Sequence, residues 1–341
     1  YQGELWVQSN SPSPSAKIDL YGYSGAGNLS GRICDPSGEG WVVGARVYVE
    51  VDYNGDGIVD AVIETHPDAD GYYTLEGVIR GVHNVYVEKG SYGAEFIVDF
   101  PGGNYELPEE ECLDPSSVNL AVVSGEFDSI EEILADLDLE YDLFGPETYL
   151  ELLRDSERMS EYDIIFFNCG MPFTWLQEMG MVTANLKRYV SDGGSVYASD
   201  WAHSIVEATW PYAIDFKGED TIFDPMLDVP THSHPFVGAA ATISGSVIDE
   251  TMRGAIGSAT ANLVYDLDSW VMPYDVGPLT STMVSGDASY WNNVGSYSTQ
   301  NDTPLAVQFS EGGRVIYTTF HNEGQLTHDM EAALKEIILS L

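Results

Sequence analysis

Residues 52–60 read DYNGDGIVD, with oxygen-bearing side chains at alternate positions. A hard divalent cation such as calcium takes six to eight oxygens, supplied by alternate residues as a loop wraps round it. Asp52, Asn54 and Asp56 stand at the first, third and fifth places, and Gly57 at the sixth permits the sharp turn. Ile58 would contribute its carbonyl and Asp60 would close the set, while Glu64 falls one step beyond the usual bidentate position. An Asn-Gly or Asp-Gly hairpin needs no metal, but such a turn does not require further oxygens in register. The spacing therefore predicts a calcium cage, and a structural one, because a closed ring of protein oxygens leaves no position open for substrate. Asp68 and Asp70 on the next loop read as a solvated Asp-Gly turn.

Other residues could also do chemistry. His232 and His234 in VPTHSHPF have a spacing that chelates zinc from a strand, yet no cysteine or second histidine pair lies close by, so they read as a surface pair. The aromatic run SYWNNVGSYS would suit carbohydrate stacking or protein contact, against a default of ordinary packing. Asn28 and Asn301 each head a sequon that permits glycosylation.

The charge restricts partners. With 55 Asp plus Glu against 13 Lys plus Arg, the net charge of -42 sets up a field that repels nucleic acid and anionic membranes and attracts divalent cations. No apolar run approaches the roughly 20 residues of a membrane helix. The chain opens at Tyr1 without Met, and is expected to be the mature form of a secreted or cell-surface protein. Of three cysteines, Cys34 opens the first domain and Cys112 closes it, so an oxidising compartment could join them; two buried thiols are the alternative.

Elements that would position these groups divide the chain. Residues 1–30 hold an alternating stretch, YQGELWVQ, and a Ser/Pro linker; the first is expected to be a frayed end or a strand that docks on a neighbouring molecule. Residues 31–112 alternate in short β-rich runs with no helical period, which predicts a small all-β sandwich. In this stretch GRICDPSGEGWVVGARVYVEV and DADGYYTLEGVIRGVHNVYVEK resemble the carboxypeptidase regulatory-like, prealbumin-type β-sandwich family. The resemblance implies a non-catalytic spacer or adhesion unit.

From Val118 onward strands alternate with helices: VNLAVVSG, SIEEILADLDL, YDIIFFNCG, TANLKRYVSDGG, SVYASDWA, and finally RVIYTTFHNEG before a closing helix. Residues 113–341 are thus expected to form an α/β flavodoxin-like three-layer domain, with a β-rich insertion at 217–312. FFNCG, YASDWAH and GGRVIYTTFHNEG resemble the class I glutamine amidotransferase-like superfamily, including its trehalose-utilisation-type branch. The resemblance implies a catalytic His and Glu two apart after the last strand, matched by His321 and Glu323. It also implies a Cys at a strand-to-helix elbow flanked by small residues. Here the elbow reads Ala198-Ser199-Asp200-Trp201-Ala202, with Asp200 in the nucleophile's place. Ser199 in that role would be flanked by the bulky Tyr197 and Trp201. A carboxylate cannot carry amide transfer through a thioester, so the triad reads as degenerate. Cys169 ends the preceding strand, where the family builds its oxyanion hole, and reads as a small buried hydrophobe.

Three functions follow as expectations. The first is a secreted, calcium-stabilised structural or surface-layer protein that polymerises with its own copies through the N-terminal strand. The second is a hydrolase or amidotransferase-like enzyme using His321 and Glu323, and the third a protein that binds surface glycans.

Overall fold

The computed structural model describes residues 2–8, 15–21, 25–217, 236–292, 295–322 and 326–341, with side chains described from residue 25 onward. The chain divides into two compact units, Tyr1–Glu88 with Gly93–Leu113, and Lys89–Tyr92 with Asp114–Leu341.

The first unit contains strands alone among its described residues. Strands β1 (Gln2–Gln8) and β2 (Ser15–Tyr21) pair antiparallel with each other. The N-terminal stretch expected to dock on a neighbour is thus paired within its own chain, and part of the expected linker is its partner strand. Eight more strands follow: β3 (Gly27–Cys34), β4 (Arg46–Val51), β5 (Ala61–Thr65), β6 (Tyr72–Val78), β7 (Gly81–Lys89), β8 (Tyr92–Phe100), β9 (Asn104–Glu106) and β10 (Glu111–Cys112). They form two four-stranded sheets, one of β3, β6, β9 and β10 and the other ordered β5-β4-β7-β8. The period-two pattern explains them: in β7, His83, Val85, Val87 and Lys89 are buried while the residues between face outward or lie half-buried. Cys112 pairs in register with Cys34, and the two form a disulfide closing 78 residues of chain.

The second unit holds a mixed sheet of eleven strands, a separate two-stranded sheet and helices. Its parallel part comprises β11 (Leu120–Val123), β12 (Asp142–Phe144), β13 (Ile164–Phe167), β14 (Ser195–Ser199) and, far along the chain, β23 (Gly313–Thr318). Their order is β12-β11-β13-β14-β23. LAVV of β11 and IIFF of β13 are apolar at every position because helices cover both faces, and every one of those residues is buried. The crossover helices are α1 (Ile130–Asp136), α2 (Tyr149–Arg154), α3 (Ser156–Met159) and α4 (Met179–Ser191). Helix α5 (His203–Thr209) follows β14.

Between α5 and β23 the chain adds the remaining strands. These are β15 (Ile214–Phe216), β16 (Val237–Gly238), β17 (Ala241–Val247), β18 (Thr260–Tyr265), β19 (Trp270–Val271), β20 (Pro273–Val276), β21 (Ser281–Asn292) and β22 (Ser296–Glu311). The stretch lacks a clear helical period, yet it holds one helix, α6 (Glu250–Ile256), started by the Asp249 carboxylate accepting Met252 N–H at 2.9 Å. Rather than hanging off the domain, the insertion extends the sheet: β22 pairs antiparallel with β23, and β21 with β22. Helix α7 (His328–Ser340) closes the chain.

Candidate functional site

The strand order reverses at β11, whose neighbours are β12 on one side and β13 on the other, so the chain leaves β11 for opposite edges. In open α/β sheets such a reversal opens a crevice at the C-terminal strand ends. Four loops from those ends carry the reactive side chains: Asp128 after β11, Cys169 after β13, Asp200 after β14 and His321 after β23. The first two loops run very close together. A side chain at Gly125 would meet the Cys169 carbonyl at 2.0 Å, so only glycine fits there.

Asp200 occupies a strained elbow. Its φ is +42°, a left-handed conformation that Asp tolerates better than most side chains. It lies where β14 passes into a short 3-10 turn and then α5. The Tyr317 hydroxyl holds the backbone by donating to the Asp200 carbonyl at 3.0 Å. The carboxylate is buried and fully engaged. Oδ1 accepts Val271 N–H at 2.6 Å, the Cys169 thiol donates to Oδ2 at 3.4 Å, and His321 Nε2 lies 3.6 Å from Oδ2. Cys169 is buried, as its sequence context suggested, and its thiol also meets the Asp200 carboxylate. Burial, and then the Asp200 charge, push its thiol far up from the ordinary range, which keeps it protonated at neutral pH.

Behind this group lies a residue that the sequence reading missed. Asp128 is fully buried and accepts the Ser199 hydroxyl in a short hydrogen bond and Asn322 N–H at 3.1 Å. Ser199 in turn accepts Cys169 N–H at 2.9 Å, so its hydroxyl links two loops and is not free to attack. Desolvation raises the Asp128 carboxyl to about 6, against the opposing pull of His321 and the Ser199 hydrogen bond. The available signal was an acid in VSGEFDS at the end of an apolar strand, but nothing in the sequence set it apart from 54 other acids.

Above Asp200 opens a cavity of about 310 Å³. Cys169, Asp200 and His321 face it, and its walls are chiefly aromatic: Phe127, Phe173, Trp201, Tyr265, Trp270 and Phe320. The insertion builds one wall and holds it in place. Trp201 Nε1 donates to the Ser269 carbonyl at 2.6 Å, and Tyr265 stacks on Trp270 with ring centroids 4.3 Å apart. Of the sequence-selected trio, Asp200 and His321 come together here, while Glu323 lies outside the described residues, as do His232 and His234. The aromatic run does not line this cavity. Trp291 and Tyr297 face each other edge to ring on the β21–β22 hairpin, half-exposed.

The second candidate site is the DYNGDGIVD loop, in the first unit. Asp52 Oδ1 accepts Gly55 N–H at 2.7 Å and Oδ2 accepts Gly57 N–H at 2.7 Å. Asn54 and Asp56 side chains accept the N–H groups of Asp56 and Ile58, and Asp60 accepts that of Tyr53. These bonds hold the Asp52 carboxyl below its usual range, the Gly57 bond foremost. The loop oxygens of Asp52, Asn54, Asp56 and Asp60 are thus brought onto one turn, exposed to solvent or half-buried. Glu64 does not join them: it sits on β5 with its carboxylate 2.7 Å from the Arg46 guanidinium. Asp68 accepts the N–H groups of Asp70 and Tyr72, as an ordinary turn residue does.

No protein-family model matches the chain, and no curated protein matches it in sequence. Among solved structures it is similar to a cytoplasmic protein from Salmonella typhimurium, at 12% identity and a TM-score of 0.40, covering 65% of this chain and 97% of that one. A ThuA-like protein from Bacteroides uniformis gives 12% identity and 0.40 over 64% and 89% of the two chains. PurLQS from Thermotoga maritima gives 10% and 0.40 over 65% and 97%. Among the described residues, no helix is long and apolar enough to cross a membrane.

Proposed function

We propose that this chain is a secreted, calcium-stabilised protein of the cell exterior, whose second unit has an amidotransferase-like shape and holds a small ligand instead of transferring amide nitrogen. One observation carries the reading: the elbow position bears the Asp200 carboxylate, both of whose oxygens are engaged. Thioester chemistry requires a thiolate at that point, and the nearby thiol of Cys169 is held protonated against Asp200. What remains is a buried anion and an imidazole beneath aromatic walls. That combination suits a saccharide or related polyol, whose C–H face stacks on rings while its hydroxyls donate to a carboxylate.

Three features support the exterior setting. The Cys34–Cys112 disulfide belongs to oxidising compartments. The Asp52 loop offers four side-chain oxygens and the Ile58 carbonyl to calcium, and water would complete the shell in place of Glu64. The two four-stranded sheets of the first unit favour the regulatory-like sandwich as a spacer. Polymerisation through the N-terminal strand gains no support, because that strand is paired within its own chain.

Trp201 and Trp270 line the cavity and make tryptophan fluorescence the natural readout. A panel of mono- and disaccharides is expected to contain a ligand that shifts the emission of the wild type and not that of Asp200→Asn. A panel without such a ligand, or glutaminase turnover abolished by His321→Ala, would overturn the reading.

A further inference from the structure

We propose that Cys169, Asp200 and His321 form a three-ligand site for a borderline-soft divalent metal ion, zinc foremost. The inference deepens the ligand-site reading above and rests on it for the cavity being a binding site. Each residue offers one ligand atom, all three atoms lie within 4.8 Å of one another, and all three residues are buried. A tetrahedral zinc ion with ordinary bond lengths sets its sulfur, nitrogen and oxygen ligands about 3.3 to 3.6 Å apart. The observed separations are 3.4 Å from Cys169 Sγ to Asp200 Oδ2 and 3.6 Å from His321 Nε2 to the same oxygen. Two of the three separations thus match a metal's ligand spacing, and the third, from Sγ to the His321 nitrogen, lies within 4.8 Å.

The surroundings fit as well. Asp200 Oδ1 is fixed by Val271 N–H, which leaves Oδ2 to bind in one-oxygen fashion with its orientation already set. The three ligands come from three separate strand ends, so the scaffold and not a flexible loop sets their spacing. A fourth position would face the cavity and be open to water or to a ligand oxygen. On binding, the thiol proton passes to solvent as the sulfur–metal bond forms, so affinity rises with pH. Thiolate, imidazole and carboxylate together favour zinc over calcium or magnesium, which take oxygen ligands.

Cobalt(II) added to the chelator-treated full-length chain tests this. Cys34 and Cys112 are joined to each other, so Cys169 is the sole free thiol, and a thiolate-to-cobalt charge-transfer band can arise from it alone. The expected result is one such band per chain, displaced by zinc, kept in Asp52→Asn and weakened at least tenfold in affinity in His321→Gln. No band in the wild type at excess cobalt would overturn the proposal, and so would a band of unchanged affinity in His321→Gln. The saccharide panel run on metal-stripped protein separates the two readings: saccharide binding without a cobalt band sinks only the metal site. A cobalt band with no saccharide binding overturns the saccharide reading and leaves the metal site standing.

Discussion

The Ser199 hydroxyl donates to the fully buried Asp128 carboxylate, directly behind the elbow that carries Asp200. The pair makes this region sensitive to pH. The Asp128 carboxyl is raised from 3.8 to about 6, so between those values the folded chain keeps a proton that the unfolded chain has released. Stability from this group is therefore full at low pH and is lost as pH rises through about 6, by up to about 3 kcal/mol. Surface repulsion in so acidic a chain has the same sign, which calls for a difference measurement. Urea unfolding is expected to show wild type losing stability relative to Asp128→Asn between pH 4 and 7. A constant gap would refute the assignment.

Calcium is expected to raise the melting temperature of the wild type and leave that of Asp52→Ala unchanged. Asp52 carries the most backbone hydrogen bonds of the loop's acids and stands first in the ligand order. At a hundredfold excess over the dissociation constant, the gain is about 2.7 kcal/mol. Glu64→Gln should keep the full response, because Glu64 is bound to Arg46 and lies off the loop. Calorimetry with and without chelator reads all three chains.

Reducing the Cys34–Cys112 disulfide, or replacing both residues by Ser, should destabilise the first unit. A closed loop of 78 residues is worth about 4 kcal/mol of unfolded-chain entropy. The measurement is the denaturant midpoint of the double variant, and a shift too small to measure would contradict the expectation.

Cys169 should resist alkylation in the native state. It is buried, and its thiol is held protonated beside Asp200. Mass spectrometry after iodoacetamide treatment is expected to find one added group only when the chain has been unfolded first. Rapid labelling of folded protein would show that the thiol is neither buried nor neutral.

Much of this molecule could be read from its residues. Alternation in GVHNVYVEK dictates a half-buried strand, and unbroken LAVV and IIFF dictate strands covered on both faces, since periodicity directly records which sides meet water. The Asp-Asn-Asp-Gly spacing is equally local. So is the elbow, where small Ala198 and Ala202 leave room for the tight turn, and Asp200 does take the left-handed conformation there. The aims of Cys169 and Asp128 were not legible. Each contact of that cluster joins residues from loops far apart in the chain, such as 31 positions between Cys169 and Asp200 and 194 between Asp128 and Asn322.

Local pattern reveals most of the strands and helices, where the turn oxygens fall and what stands at the elbow, because those depend on neighbours a few residues apart; it did not reveal α6 or β2. That Glu64 turns to Arg46, that β1 pairs with β2, and that a thiol, a carboxylate and an imidazole converge under aromatic walls follows from the assembled fold alone. Convergence of that kind depends on strand order, since a parallel sheet brings the ends of β13, β14 and β23 side by side however far apart they lie in the chain.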